Sequence, residues 1–290
     1  MKYKIVHKTI YEYSEQAALS QNDLCLFPRE TPRQIIGARE LAILPQPSVM
    51  DHRTDFFGNH IHNFMVQQPH RKLEIMAQSF VETIHGDIPE PSSTLPWEAV
   101  MDALSRHGDQ ESLNAYAFIF PSPFVYRLPD FVEYAKGSFL PGRPVLESAL
   151  DLTKRIYTDF SYEKEATDIG TPLEKIFKAK KGVCQDFAHV EIACLRSLGL
   201  AARYISGYLE TIAPPGKPKM VGADASHAWL ALHVPGIGWI DLDPTNNMVP
   251  DERHITVAWG RDYGDVTPVK GIVWGGGLHK MSVSVDVAPV

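Results

Sequence analysis

The sequence predicts an α+β fold in two parts: a β-rich N-terminal region, then a helical layer that leads into an antiparallel sheet. Three observations carry that expectation. Polar and apolar residues alternate with a period of two through much of the first 85 residues. Apolar residues recur at helical spacing between Pro144 and Gly199. Three short strand-like runs, divided by Pro/Gly-rich turns, follow Gly199.

In the N-terminal region one alternating run carries Tyr3, Ile5, His7, Thr9 and Tyr11, and another carries Leu73, Ile75, Ala77, Ser79 and Val81. With the turn signals PRETPR and FFGNH they predict an antiparallel, sandwich-like domain over residues 1–85. Residues 86–143 read as a linker with short helices, because Pro96 marks a helix start and prolines recur from Pro121 to Pro144. The core is expected over residues 144–290. Its first helix carries Leu146, Ala149, Leu150, Ile156 and Phe160 as a stripe. Its second, TPLEKIFKAKKG, has a capping box with Thr171 as N-cap, Pro172 at N1, Glu174 at N3 and Gly182 as a stop. KGVCQDFAHVEIACLRSLGL reads as a third helix; AARYISGYLE, HAWLALHV and GWIDLDPT are strands. The last run, KMSVSVDVAPV, is one more strand that joins either the core or the N-terminal domain.

With 290 residues, 44% hydrophobic and 22% charged, the chain is expected to fold into about two domains. A net charge of −7 without a basic stripe argues against nucleic acid and against an anionic membrane surface. The alternating N-terminus lacks the apolar centre of a signal peptide, and no run approaches the ~18 apolar residues of a membrane span, so a cytoplasmic protein is expected. Cys25, Cys184 and Cys194 build no disulfide framework. Cys184 and Cys194 on one helix stand ~15 Å apart along its axis.

On that helix the apolar arc runs through Phe187, Ala188, Val190, Cys194, Leu195 and Leu198, with Cys184 in its middle. Cys184 also opens the helix, where unpaired N–H groups and the macrodipole favour an anion, as a nucleophilic thiol requires. Cys194 and Cys25 read as buried structural cysteines. His189 lies about 140° round the helix from Cys184 and cannot meet it; it reads as a solvated histidine beside Asp186. Glu191 projects into the apolar arc and is expected to be salt-bridged by a basic residue such as Arg203.

A thiol nucleophile needs a base and an orienting group. In HAWLALHV the even positions, Ala228 to Val234, are apolar, and in GWIDLDPT Ile240 and Leu242 are. Keeping both sets on one face pairs even with even, with Val234 opposite Gly238. His227 and Asp243 then share the other face as diagonal neighbours, and Pro244 holds Asp243 extended.

GVCQDFAH, RYISGYLE, DASHAWLALHVPGIGWIDLDPTNN and GRDYGDVTPVKG resemble the bacterial transglutaminase-like superfamily, which takes in chains described as cysteine proteases. HKTIYEYSEQ, TDFFGNH and PHRKLEI resemble the β-rich domain that accompanies that core. The resemblance is strongest from Thr171 to Gly271. It implies a papain-like core with Cys184 as nucleophile, His227 as acid and base and Asp243 as orienting carboxylate, no cofactor, and a peptide or protein amide as substrate. It further implies an oxyanion hole at the Cys184 N–H, with Gln185, Trp229 and Tyr208 as candidate oxyanion or substrate contacts. Many relatives carry an acidic residue two places after the HAW tryptophan, where this chain has Ala231.

Three other readings compete: a transamidating enzyme, a non-catalytic peptide-binding module that kept the fold, and a metallohydrolase. The last would use His60, His62 and His70, but no carboxylate or cysteine completes a metal-site spacing there. The substrate pocket walls are expected from the linker and from loops such as residues 211–225.

Overall fold

The structure is a computed structural model that describes residues 1–106, 108–211 and 225–290. Five strands open the chain: β1 (Lys2–Leu24), β2 (Gln34–Leu44), β3 (Val49–Thr54), β4 (His60–Val66) and β5 (His70–Thr83). Four helices follow: α1 (Trp97–Arg106), α2 (Gln110–Tyr116), α3 (Pro129–Lys136) and α4 (Val145–Asp159). Then come β6 (Ser161–Tyr162), α5 (Leu173–Ala179), β7 (Lys181–Gly182) and α6 (Cys184–Ser197). The chain ends in β8 (Ala202–Leu209), β9 (Ala225–Val234), β10 (Gly238–Leu242), β11 (His254–Gly260), β12 (Val269–Gly275) and β13 (His279–Pro289).

The two alternating runs pair with each other: Tyr3 lies opposite Val81, Ile5 opposite Ser79, His7 opposite Ala77 and Thr9 opposite Ile75, and all eight side chains are buried. β1 is long enough to serve two halves of a seven-stranded sheet. Up to Glu12 it is flanked by β5 and β13; from Ser20 on, by β12 and β4, after an irregularity in the β5 ladder between Glu12 and Ala17. The halves close over one apolar cluster, with Tyr13, Leu24, Phe64 and Val66 meeting Leu73 and Ile75. Thus β12 and β13, the last two strands of the chain, complete the sheet that the first strand begins.

The second sheet has the order β10-β9-β8-β11 and is antiparallel throughout. Gly238 lies opposite Val234 and Leu242 opposite Leu230, the register that puts the apolar sets on one face. That face buries Ala228, Leu230, Leu232 and Val234 in the same cluster as Ala188, Ile192 and Leu195 of α6. The strand β11 was not recognised in the sequence; it adds itself beyond β8 and brings His254 with it.

α6 is enclosed on all sides, with β8 and β9 against one flank and α3, α4 and α5 against the other. Its polar arc therefore meets protein, not water. Arg196 is 1% exposed, and its guanidinium donates to the carbonyls of Ala202, Phe120 and Arg261. His189, expected at the surface, is buried between Phe124 and Tyr204, where Nε2 accepts the Tyr263 N–H at 3.2 Å. Burial, with Arg196 nearby, lowers its pKa to about 3. A helical wheel sees one helix and cannot know that a second layer covers it. Glu191 likewise does not meet Arg203, which projects from the other side of the sheet; its Oε1 lies 2.7 Å from the Thr153 hydroxyl on α4, and Oε2 has no partner. The capping box at Thr171 does not form either. The hydroxyl is drawn into a turn with Asp168, 2.9 Å from Oδ1, and α5 begins one residue later than expected.

Burial raises the pKa of Glu191 to about 8. A carboxyl that binds its proton more tightly in the folded chain than in the unfolded one makes stability fall as pH rises, here from about 4.5 towards 8. Glu191→Gln is expected to remove that loss: its transition temperature equals wild type near pH 4 and exceeds it at pH 8 to 9, by roughly 2–5 kcal/mol in stability. Calorimetry across that range checks it.

Candidate active site

Gly182 and Val183 lead into α6, and the start of the helix is fixed by Asp186. One oxygen of that carboxylate accepts the Val183 N–H at 2.8 Å and the Thr167 hydroxyl at 2.6 Å. A side chain at residue 182 would strike it, since a Cβ there falls 2.5 Å from Oδ2. Burial raises the Asp186 pKa against these two hydrogen bonds, which lower it. Cys184 is the first helical residue and half-buried. The N–H groups of Cys184 and Gln185 have no carbonyl four residues back within the helix, and among the described residues no backbone carbonyl accepts them.

His227 comes from β9 and sits opposite Gly207 of β8. Gly207 has no Cβ for a reason: one would lie 2.3 Å from the Trp229 ring, the largest fully buried side chain, and 2.3 Å from the Ile255 carbonyl oxygen. The ring of Trp229 packs 5.8 Å from that of His227. Nε2 of His227 lies 2.8 Å from Asp243 Oδ2. Burial lowers the proton affinity of His227, but the hydrogen bond and negative charge of Asp243, with Cys184 close by, outweigh it and carry the pKa up to about 10.

Asp243 follows β10 directly and is fully buried. Its backbone closes a turn onto Met248, with N–H to carbonyl bonds in both directions. Oδ1 accepts the backbone N–H groups of Thr245 at 2.9 Å and Asn246 at 3.2 Å. Oδ2 is shared by Asn246 Nδ2 at 2.7 Å, His227 Nε2 at 2.8 Å and His254 Nε2 at 3.1 Å. Burial alone would raise this carboxyl; the hydrogen bonds from the two histidines hold it well below the usual carboxylate range.

Cys184, His227 and Asp243 are thus brought together from a helix start and two strands. Of the other candidates, Gln185 stays near Cys184, half-buried on the wall of a cavity of about 270 Å³ with Asp186 and His189. Trp229 is not available to a substrate, because it is fully buried and its Nε1–H donates to Asp241 Oδ2 at 3.2 Å. Tyr208 is not near the thiol chemistry: close to the end of β8, its hydroxyl reaches the N-terminal region, where it donates to the Leu26 carbonyl at 2.9 Å and lies 3.1 Å from His7 Nδ1. The loop of residues 211–225 lies, apart from its ends, outside the described residues.

His254 and Asn246 were missed in the sequence. His254 opens β11, whose signal is the β-branched run Ile255–Val257 after Asp251-Glu252-Arg253. Its Nδ1 lies 3.3 Å from both the N–H and Oδ1 of Asp251. His227, Asp243 and His254 are also the group among the described residues whose donor atoms cluster closely enough for a metal, within 4.8 Å. Yet both Nε2 atoms aim at one carboxylate oxygen, so the cluster is complete as a hydrogen-bonded unit. His60, His62 and His70 do not converge: His62 stacks on His52 and meets Phe27 edge-on, and His70 bonds Ser20 and the Gln68 carbonyl.

Residues 3–82 match the bacterial transglutaminase-like N-terminal region, and residues 133–244 match the transglutaminase-like superfamily core. The uncharacterized protein Rv2569c of Mycobacterium tuberculosis is 41% identical over 297 residues, covering 99% of this chain and 93% of that one. The uncharacterized protein ML0607 of Mycobacterium leprae is 30% identical over 290 residues, covering 99% and 98%. A protein-glutamine gamma-glutamyltransferase of Pseudomonas aeruginosa is 31% identical over 77 residues, which span 26% of this chain and 12% of that protein. Among solved structures, a "Putative Cysteine Protease from Cytophaga hutchinsonii" shares the fold with a TM-score of 0.79 at 22% identity, over 99% of this chain and 90% of that one. Sheet register, the helix start at Cys184 and these matches agree: the chain belongs to the transglutaminase-like superfamily and carries the bacterial N-terminal region of that family.

Proposed function

We propose that the chain is a cysteine hydrolase that cleaves amide bonds of a peptide or protein through Cys184, His227 and Asp243. The observation that carries this reading is His227 oriented by Asp243 at 2.8 Å on Nε2, with Cys184 near enough to raise its proton affinity. A residue placed in this way can take a proton from one neighbour while the other fixes its orientation. With the thiol's proton already resting on His227, Cys184 Sγ bonds to the carbonyl carbon. The oxyanion that forms accepts the N–H groups of Cys184 and Gln185. His227 then returns the proton to the nitrogen, the C–N bond breaks, the amine leaves and a thioester remains. Water, deprotonated by His227, displaces Sγ and releases the acid.

A second reading is transamidation, in which a primary amine replaces that water. It draws on the 77-residue similarity to a protein-glutamine gamma-glutamyltransferase. The chemistry up to the thioester is common to both.

Two experiments test this assignment. Mild iodoacetamide at neutral pH is expected to label Cys184 at least ~10-fold faster than the other thiols, since burial raises Cys25 to about 12 and Cys194 further still. Equal rates at all three would count heavily against a nucleophilic Cys184. The second is mass spectrometry of the protein quenched with a library of peptide amides. Wild type should gain an acyl mass on Cys184, Cys184→Ala none, and His227→Ala should slow its formation ~100- to 10,000-fold. Releasing that adduct with water or with a primary amine then separates hydrolysis from transamidation.

A further inference from the structure

On the face of the core sheet that does not meet α6, a cavity of about 550 Å³ opens between β8, β10 and β11 and the N-terminal segments 31–34 and 83–84. Arg203, Trp239, Asp241, Trp259 and His254 line it, and Cys184 does not. Its size suits a small organic molecule.

Arg203 and Asp241 flank Ala231 in the register, one from β8 and one from β10, and all three share a face. Two strand spacings put their Cα atoms roughly 10 Å apart. Ala231 places only a methyl group between them. The Arg203 guanidinium stacks on Trp259 at 3.8 Å and on Trp239 at 4.3 Å, is nine-tenths buried, and has no hydrogen-bond partner for Nε. Asp241 has the Trp229 indole N–H as its hydrogen bond and no ion pair with Arg203. The neighbouring charges are otherwise engaged: Arg33 donates to the Pro250 carbonyl, Asp251 pairs with Arg253 and His254, and Glu252 pairs with His85. Arg29 stacks on Trp259 at 3.2 Å and is held by Asn59 and the Phe57 carbonyl.

A buried cation and a half-buried anion that face one cavity without pairing each lack the partner that leaving water demands. Both respond in the neutralising direction: burial lowers Arg203 to about 9, against Asp241, and raises Asp241, against Arg203. A molecule with a carboxylate at one end and an ammonium at the other would complete both at once.

We propose that this cavity binds a small zwitterionic amino compound, an α-amino acid or a dipeptide, with its carboxylate on Arg203 and its ammonium on Asp241. The site is separate from the thiol, and it reaches the triad through His254, whose Nε2 lies 3.1 Å from Asp243 Oδ2, and through Trp229, which donates to Asp241 and packs 5.8 Å from the His227 ring.

Binding is best measured by calorimetry on the full chain with Cys184→Ala, so that the outcome does not depend on thiol chemistry. The ligands are alanine, leucine and alanyl-alanine, each against its N-acetyl form and its carboxamide. At least one free zwitterion should bind, and either cap should weaken it at least tenfold. Asp241→Asn and Arg203→Lys should each weaken the free form at least tenfold. Hydrogen exchange on the protein without cavity substitutions locates the ligand even if those two variants fold poorly: residues 203–205 and 239–241 should gain protection. The proposal is overturned if none of the free compounds binds, if capped forms bind as well, if both variants bind normally, or if the protection falls elsewhere.

Discussion

The carboxylate of Asp243 has no exposed surface, and it accepts hydrogen bonds from two imidazoles, one side-chain amide and two backbone N–H groups. An isolated charge in such a place would be too costly to keep, and it persists because every direction of approach is filled by a donor. The same bonds organise what surrounds it. Oδ1 folds residues 243–248 into a turn, Asn246 returns to Oδ2 from within that turn, and His227 and His254 are held from two different strands. Losing one partner of a buried pair of this kind typically costs about 3–5 kcal/mol, so the position serves the fold as well as the site.

Around that point the chain solves a packing problem. A thiol at the first residue of a helix needs the helix end fixed, and here the whole of α6 is embedded between a sheet and a helical layer. Embedding forces its polar residues to find partners inside the protein. Asp186 ties the entry, Arg196 gathers three carbonyls at the exit, and His189 stays neutral between two aromatic rings. Glu191 is the incomplete case, with one carboxyl oxygen on Thr153 and the other unpartnered. The N-terminal sheet closes against the core through Tyr3, Ile5, Val285 and Val287, which share a cluster with residues of α6 and β8.

Period-two alternation was legible wherever one face of a strand is buried and the other is not, as in Tyr3 to Thr9 against Val81 to Ile75. The β9–β10 register was legible too, because a slip of one residue would have moved Leu230 and Leu232 out of the core. That register brought His227 beside Asp243. What stayed hidden depends on a second layer. A helical wheel assigned His189 to solvent because it cannot represent Phe124 and Tyr263 packing over it. Trp229 and Tyr208 looked like site residues because aromatic side chains near a nucleophile are easily read as substrate contacts, whereas Gly207 and the N-terminal sheet give them places in the interior. His254 lies on a strand whose short run offers little periodicity, and its partner Asp243 becomes visible only when β11 is laid beside β8.

The central claim is that Asp243 holds His227 as a protonated, oriented imidazole. Its most direct test is the titration of the His227 ring followed by nuclear magnetic resonance in wild type and in Asp243→Asn. The ring is predicted to keep its proton until about pH 10 in wild type, and to titrate substantially lower, towards the ordinary ~6.5, once the carboxylate is replaced. A wild-type ring that titrates near 6.5, and does so unchanged in the variant, would contradict the account.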